Sequence, residues 1–450
     1  MLQSFLPTPD VLRHIHQTIG MRQPETGGFL GSTDGLHIDH YYFDETATTS
    51  GTTYSPDVEA VNRVLRRWRE RGVTPVGSIH SHPVGCIHPS TGDVIYAKQI
   101  MNAWDMDSIV VVIAAKGLRN DAGMTLRPYR IEADGSVHRL PTREDGTAER
   151  FRRVGNLYPL EVLRRKTVVI IGVGGAAGFA EDLARSGVGR FVLIDPDTYS
   201  ITNIATQACF GHDLGCPKVE IVRERILDIN PAAEVVTIKR PLNDEMSDDE
   251  FAAFVGDTIV TAPGDVLICG CTDSFPAQAR SAALSLKLGT PYLSAQLYAG
   301  GEAGEIYFSY PGRTTGGCPR CALRSRYEAY EQGFQNDVTS AASPIFATTH
   351  LNAMKGQIAM MLLLCGEAGR YGSMLQKVED RNFVMLRFSP TAGEHLGIRA
   401  FDDIFIPEFS FFGEPVWIPQ TPDADCALCH GEADLRQLMG QIEDTRRLTG

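Results

Sequence analysis

The chain reads as two successive α/β domains, and three observations predict this. Its 450 residues exceed one ordinary hydrophobic core. Strand-like and helix-like runs alternate through both halves. In the second half a strand, residues 167–171, runs directly into a glycine-rich turn and a helix, which is how a parallel sheet covered by helices on both faces announces itself.

The first half carries strand-like runs at 73–80, 108–114 and 126–132 and helical ones at 57–71 and 92–103. Short polar pieces at 133–136 and 143–146 mark a seam over 132–149 and separate a domain at 1–142 from one at 148–450. The second domain is expected to open with a helical stretch over 149–165. It continues with strand 167–171, helix 176–186, strand 191–194, helix 219–230 and a further strand at 266–271. No internal repeat or low-complexity tract interrupts the pattern.

With 43% hydrophobic and 22% charged residues the composition is globular. A formal net charge of −13 and a pI of about 5.4 repel phosphate backbones, and the arginines of 63–71 sit on one solvated helix face, so no nucleic-acid partner is expected. The first twenty residues lack the apolar core of a signal peptide. The longest apolar run, 358–365, is far short of a bilayer span, so no membrane partner and a cytoplasmic location are expected. Ten cysteines in such a chain argue against a disulfide framework, and four of them form two Cys-x-x-Cys pairs, which read as metal ligands.

Residues 76–82 read as a buried strand, so His80 and His82 project from one face and can share a Zn²⁺. Pro83 ends that strand. Ser90-Thr91-Gly92-Asp93 opens the next helix, either as a capping box or so that Asp93 returns a carboxylate to the same ion. Three protein ligands leave a fourth position for water, the layout of a catalytic site. Glu25, ahead of Thr26-Gly27-Gly28, is a candidate general base for that water. The joint spacing of Glu25, His80-Ser81-His82-Pro83, seven residues, then Ser90-x-x-Asp93 resembles the JAMM (Mov34/MPN/JAB) metallopeptidase signature over roughly residues 1–140. The resemblance implies a JAMM-type mixed sheet flanked by helices. It also implies His80, His82 and Asp93 as catalytic zinc ligands, Glu25 as general base and Ser90 as donor to the oxyanion. The bond cut in that family is an isopeptide or peptide bond at the C-terminus of a ubiquitin-like protein. Cys86 and His88, in the intervening loop, read as loop residues or as surplus ligands.

In the second domain Gly172-Val173-Gly174-Gly175 presents backbone N–H groups and a helix N-terminus to phosphate, and Asp195, at the end of the next strand, is placed for a ribose hydroxyl. Gly172-x-Gly174-x-x-Ala177 also satisfies a dinucleotide fingerprint, which leaves a dehydrogenase open. Further along come Asp197, Asn203, Gln207, Lys218 and Thr272-Asp273. This order resembles the ThiF/MoeB and ubiquitin-activating superfamily over residues 148–430, and implies a Rossmann-like, mostly parallel sheet with helices on both faces. It implies ATP and Mg²⁺ as cofactors, with Lys218 on the triphosphate and Asp273 on the metal. Arg150, with Arg153 second, is the arginine expected to reach the ATP of a partner subunit in a homodimer. Cys318, Cys321, Cys426 and Cys429 match the family's structural zinc site; a redox reading of the pairs finds no strand-to-helix junction at either one.

Two departures stand out. The phosphate-contacting arginine expected one residue before Gln207 is Thr206, and Ala176-Ala177 replaces Leu-Gly. No cysteine occupies 324–344, where the family forms its thioester, and Cys365 lies in an apolar run as a core thiol. The combined expectation is a bifunctional enzyme. It exposes the C-terminal carboxylate of a ubiquitin-like protein by zinc hydrolysis and adenylates it for sulfur transfer or conjugation. The alternatives are adenylylation of a small-molecule carboxylate and an active peptidase joined to a degenerate nucleotide-binding scaffold.

Overall fold

The computed structural model describes residues 4–22, 25–51, 53–83, 86–116, 124–142, 150–333, 343–405 and 414–429. They fall into two compact units that divide at residues 147/148.

The first unit contains β1 (Gly27–Ser32), β2 (His40–Phe43), β3 (Thr48–Ser50), β4 (Thr53–Ser55), β5 (Thr74–His82), β6 (Ser108–Lys116), β7 (Met124–Glu132) and β8 (Val137–Arg139). Six of them make one sheet in the order β2-β1-β5-β6-β7-β8, while β3 and β4 pair separately. Within the sheet β5 and β6 are parallel and the other neighbours antiparallel. A parallel pair needs a crossover, here the helix Thr91–Trp104, so the chain leaving His82 is returned across the sheet. The alternating side chains of β6 fill two cores. Val110, Val112 and Ala114 pack with Val11 and Ile15 of the helix Pro9–Thr18. Ile109, Val111 and Ile113 pack with Val61 and Trp68 of the helix Val58–Glu70 and with Ala97 and Ile100 of Thr91–Trp104. Polar residues set the helix starts: Thr8 precedes Pro9, Asp57 accepts from the Ala60 N–H at 3.0 Å, and Ser90 caps the crossover helix.

The second unit contains β9 (Thr167–Ile171), β10 (Arg190–Ile194), β11 (Glu234–Ile238), β12 (Val266–Gly270), β13 (Tyr292–Leu297), β14 (Ala303–Ser309), β15 (Phe383–Arg387) and β16 (Glu414–Ile418). Their order is β11-β10-β9-β12-β13-β14-β15-β16. The first five strands are parallel, and β14, β15 and β16 continue the sheet antiparallel. Val168 and Ile170 of β9 face the helices Ala177–Arg185, Lys218–Ile229 and Ile345–Leu363. Val169 and Ile171 face the opposite core with Phe251, Val255, Ala282 and Leu284 from Asp248–Val255 and Phe275–Leu288. The α/β class expected of both halves is what the chain adopts. No helix of the described residues is long and apolar enough to cross a membrane.

Two local expectations are corrected. The stretch 149–165 is not one helix: 151–157 is a run of turns, and only Leu160–Leu163 is helical after Pro159. Gly155 weakens a helix, and Pro159 both lacks an N–H and disfavours helical backbone in the residue before it. The seam 132–149 is partly structured as well, because Tyr129 to Ile131 of β7 pair with Val137 to Arg139 of β8; 143–149 lies outside the described residues.

Gly77 of β5 lies opposite Val110, and a Cβ there would stand 1.8 Å from the Val110 carbonyl oxygen. Both groups belong to paired backbones and neither can swing away. Gly77→Ala is therefore expected to lower the unfolding free energy by about 1–3 kcal/mol, the usual range for overpacking, as read by urea denaturation.

Candidate functional site

The C-terminal end of β5 builds the first site. His80 pairs with Gly27 on one side and with Ile113 on the other, so its backbone is held by both neighbours. Ser81 points away from the histidines, and its Oγ accepts from the Thr26 N–H at 3.1 Å. The Ser81 N–H donates to the Thr26 carbonyl at 2.9 Å, which fastens the Glu25-Thr26 segment alongside the histidines. His80 Nε2 and His82 Nε2 face each other at 2.9 Å. Asp93 reaches both, with Oδ1 3.0 Å from His80 Nε2 and Oδ2 3.2 Å from His82 Nε2.

A capping box aims that carboxylate. Ser90 Oγ accepts from the Asp93 N–H at 3.2 Å, and the Ser90 N–H donates to Asp93 Oδ2 at 2.6 Å. The capping box therefore leaves the Asp93 carboxylate facing both histidines, so capping does not exclude its use as a ligand. An Oγ that accepts from the backbone also keeps its own O–H free to donate. Burial alone lowers the His82 imidazole pKa, but the hydrogen bond to Asp93, the Asp93 charge and the charge of half-buried Glu25 together raise it overall. Burial raises the Asp93 carboxyl, yet His80 and His82 hold it well below the usual carboxylate range. His88 does not join this group, since its Nδ1 meets the Tyr129 hydroxyl at 3.2 Å. Cys86 is exposed and apart from it.

The donor set suits a small dication. One ligand atom from each of His80, His82 and Asp93 lies within 4.8 Å of the others. Nitrogens at ~2.0–2.1 Å from a tetrahedral Zn²⁺ stand roughly 3.3 Å apart, a few tenths of an ångström from the observed spacing.

The second site is a cleft of about 970 Å³ at the C-terminal ends of β9, β10, β12 and β13. The chain runs outward from β9 through β10 to β11 and then returns to β12 on the other side of β9. The crevice at such a reversal is where open α/β sheets bind ligands. Gly172, Gly174, Gly175, Asp195, Asp197, Gln207, Lys218 and Asp273 all line it. Gly172 takes φ +82°, and a Cβ there would stand 2.8 Å from the Thr272 backbone, so the close approach of the two strand ends requires glycine. Asp195 is buried and accepts from the Val173 N–H at 2.8 Å and the Asp197 N–H at 2.9 Å. Burial raises its carboxyl pKa, even though the Asp197 N–H and Lys218 act the other way. Lys218 Nζ pairs with Asp197 Oδ2 at 2.9 Å.

Two predicted residues lie off the cleft. The Asn203 side chain accepts from the Ser200 N–H at 2.9 Å, and its carbonyl receives the Gln207 N–H at 2.8 Å, so it shapes the turn that presents Gln207. Arg150 is exposed and does not line the cleft of its own chain.

Sequence reasoning passed over Thr348, Asn352 and Lys355 on the helix Ile345–Leu363, and also the group Tyr298–Glu305–Arg326. All six except Glu305 line the cleft. Arg326 bonds Glu305 at 2.5 Å and Gln296 at 3.0 Å, and the Tyr298 hydroxyl donates to Glu305 at 2.6 Å. The available signal was the interruption of a long apolar helix by Asn352 and Lys355, three residues apart on one face.

The four cysteines of the two Cys-x-x-Cys pairs converge. Cys318 Sγ lies 3.6 Å from Cys321 and 3.5 Å from Cys426, and Cys321 lies 3.8 Å from Cys429. The edge of a tetrahedral Zn–S₄ site with ~2.3 Å bonds is about 3.8 Å, and a disulfide is far shorter. Buried donors hold the approach to Cys318: Asn382 Nδ2 and the Tyr307 hydroxyl bond the Gly317 carbonyl at 2.9 and 3.0 Å. Cys365, outside this cluster, packs against the core with its thiol pKa raised by burial.

Fold and sites together define a two-part α/β protein, with a histidine–aspartate cluster that could hold a metal in one unit and a cleft at the sheet's switch point in the other. Comparison gives the families. Residues 10–131 match the prokaryotic homologs of the JAB domain and residues 148–367 match the ThiF family, so the chain joins a JAB-type domain to a ThiF-type domain. Among curated relatives, the tRNA threonylcarbamoyladenosine dehydratase of Bacillus subtilis (strain 168) is 45% identical over 94 residues, 20% of this chain and 37% of that one. The ubiquitin-like modifier-activating enzyme 5 of Bombyx mori is 24% identical over 302 residues, 66% of this chain and 68% of that one. The chain therefore spans little more than a third of the Bacillus relative. A crystal structure of E. coli MccB with AMPCPP and MccA aligns over 60% of this chain and 68% of that one, at 17% identity and a TM-score of 0.42.

Asp195→Ala strips the Val173 and Asp197 N–H groups of their acceptor and is expected to lower the unfolding free energy by about 1–3 kcal/mol. Asp195→Asn, which keeps one acceptor oxygen, should recover part of that loss in the same urea titration.

Proposed function

We propose that this chain is a bifunctional enzyme acting on the C-terminus of a ubiquitin-like protein, first by hydrolysis and then by adenylylation. The observation that carries the reading is the presence, in one chain, of a JAB-type and a ThiF-type unit whose candidate sites suit successive chemistry on one carboxyl group. The JAB-type unit supplies His80, His82, Asp93 and Glu25; the ThiF-type unit supplies the glycine loop with Asp195, Lys218 and Asp273.

In the first unit His80, His82 and Asp93 would hold a zinc ion, which when bound lowers the pKa of water and polarises a carbonyl. Asp93 also orients both imidazoles from its capped helix. Glu25 takes the proton of the attacking water and passes it to the leaving amine. The Ser90 O–H donates to the developing oxyanion. The product is a free C-terminal carboxylate.

In the second unit the backbone N–H groups of Gly174 and Gly175 and the start of the helix Ala177–Arg185 receive phosphate oxygens. Lys218 offsets phosphate charge and Asp273 would hold Mg²⁺. The substrate carboxylate attacks the α-phosphorus in line, a P–O bond forms, and pyrophosphate leaves with the displaced electron pair. Arg150 serves the ATP of a second copy in a homodimer. With no cysteine in 324–344, the acyl-adenylate passes on to an external sulfur or amine acceptor. The cysteine cluster would hold a second, structural zinc.

The stretch shared with the Bacillus dehydratase favours a second reading, in which the activated carboxylate belongs to a small molecule such as a modified nucleoside. The net charge of −13 weighs against a tRNA-borne carboxylate.

ATP–pyrophosphate exchange decides between the two. Exchange should appear with a mature ubiquitin-like protein ending in Gly-Gly, appear with a C-terminally extended form only while Glu25 and His80 are intact, and vanish in Asp273→Ala. Exchange stimulated by a small carboxylate and by neither protein form would overturn the first reading. Metal analysis should find two zinc ions per chain, with His80→Ala losing one and Cys426→Ser the other. Equal stoichiometry in parent and His80→Ala would remove the peptidase metal from the proposal.

A further inference from the structure

We infer that Lys355 is a phosphate-binding residue of the nucleotide cleft and takes over the charge of the arginine that Thr206 replaces. The inference rests on the adenylation reading above and concerns how this chain neutralises a triphosphate.

Three cations line the cleft among the described residues: Lys218, Arg326 and Lys355. The first two are committed, Lys218 to Asp197 at 2.9 Å and Arg326 to Glu305 at 2.5 Å. Lys355 is only 3% exposed, and no carboxylate among the described residues pairs with it. Its Nζ instead lies 3.6 Å from Cys271 Sγ and 4.9 Å from the centroid of the Phe179 ring. A thiol and a ring face offset little of the cost of removing an ammonium from water. A cation held in this way at a cleft wall is poised for an anion brought by the ligand.

Its placement fits phosphate in particular. Cys271 follows β12 directly and precedes Thr272-Asp273, so the ammonium lies at the strand ends beside the glycine loop. The helix that carries it is tied to that loop and to the substituted position. Asn352, one turn earlier, donates to the Gly175 carbonyl at 2.8 Å. Thr348 Oγ1 donates to the Thr206 carbonyl at 3.4 Å. Asn352 is itself buried and lines the cleft; its Oδ1, without a hydrogen-bond partner among the described residues, is an acceptor that suits a ligand hydroxyl or amino group rather than phosphate. The lost arginine and the gained lysine thus sit on segments that touch each other.

The test is calorimetric titration of the full chain with ATP, AMP and adenosine in magnesium buffer. A charge-assisted contact to phosphate should make Lys355→Gln and Lys355→Met bind ATP roughly ten- to a hundredfold more weakly, and adenosine less than about threefold more weakly. Thr206→Arg in the Lys355→Gln background should recover much of the ATP affinity. Unchanged ATP affinity, or equal losses for ATP and adenosine, would overturn the assignment while leaving adenylation in place. Absence of ATP binding by the parent chain would overturn both. Alkylation of Cys271 in the unmodified protein gives a readout independent of variant folding. ATP should slow it and adenosine should not, and equal protection by the two would count against Lys355.

Discussion

Neighbouring parallel strands cannot be joined by a tight turn, and both units take their working geometry from that constraint. A strand followed by a parallel neighbour must send its chain over the sheet and back, so residues at its C-terminal end face the start of a crossover. In the first unit β5 lies parallel to β6, and the helix that makes the crossing brings Asp93 to the histidines at the strand's end. In the second unit β9 is flanked by parallel β10 and β12, and the reversal of direction between them opens the cleft above Gly172. The antiparallel strands β14 to β16 extend the sheet without adding such an opening.

The charged groups divide between those satisfied within the chain and those left for something else. Asp195 is buried but meets two backbone N–H groups, and Glu305 is buried but meets Arg326 and Tyr298. Such groups order the cleft walls, since each has a partner of fixed geometry. The ammonium of Lys355 belongs to the other kind. Among the described residues this buried cation, beside a thiol, has no counter-charge.

Much of both sites is legible in short stretches of the amino-acid sequence. The His80-x-His82 spacing requires one strand face, Ser90-x-x-Asp93 requires a helix start, and the glycine turn after residues 167–171 requires a close backbone approach. The misreadings are also local in origin. The stretch 149–165 has helical composition, but Pro159 and Gly155 break it. Residues 137–139 look like linker because only pairing with β7 makes them a strand. Asn203 carries the right residue type for the cleft, yet its amide is used in the turn with Ser200.

The sequence by itself determined the two α/β units, the spacing of the metal-type groups and the glycine loop, because each depends on residues near one another along the chain or on a short repeating period. Tertiary structure alone decided which distant residues meet. It brought the Cys318 and Cys426 pairs together across more than a hundred residues. It also laid the helix Ile345–Leu363 against the glycine loop, which turned Asn352 and Lys355 from interruptions of an apolar run into cleft residues. Such contacts have no local period to betray them: they follow from the packing of a helix onto a sheet whose neighbours come from elsewhere in the chain.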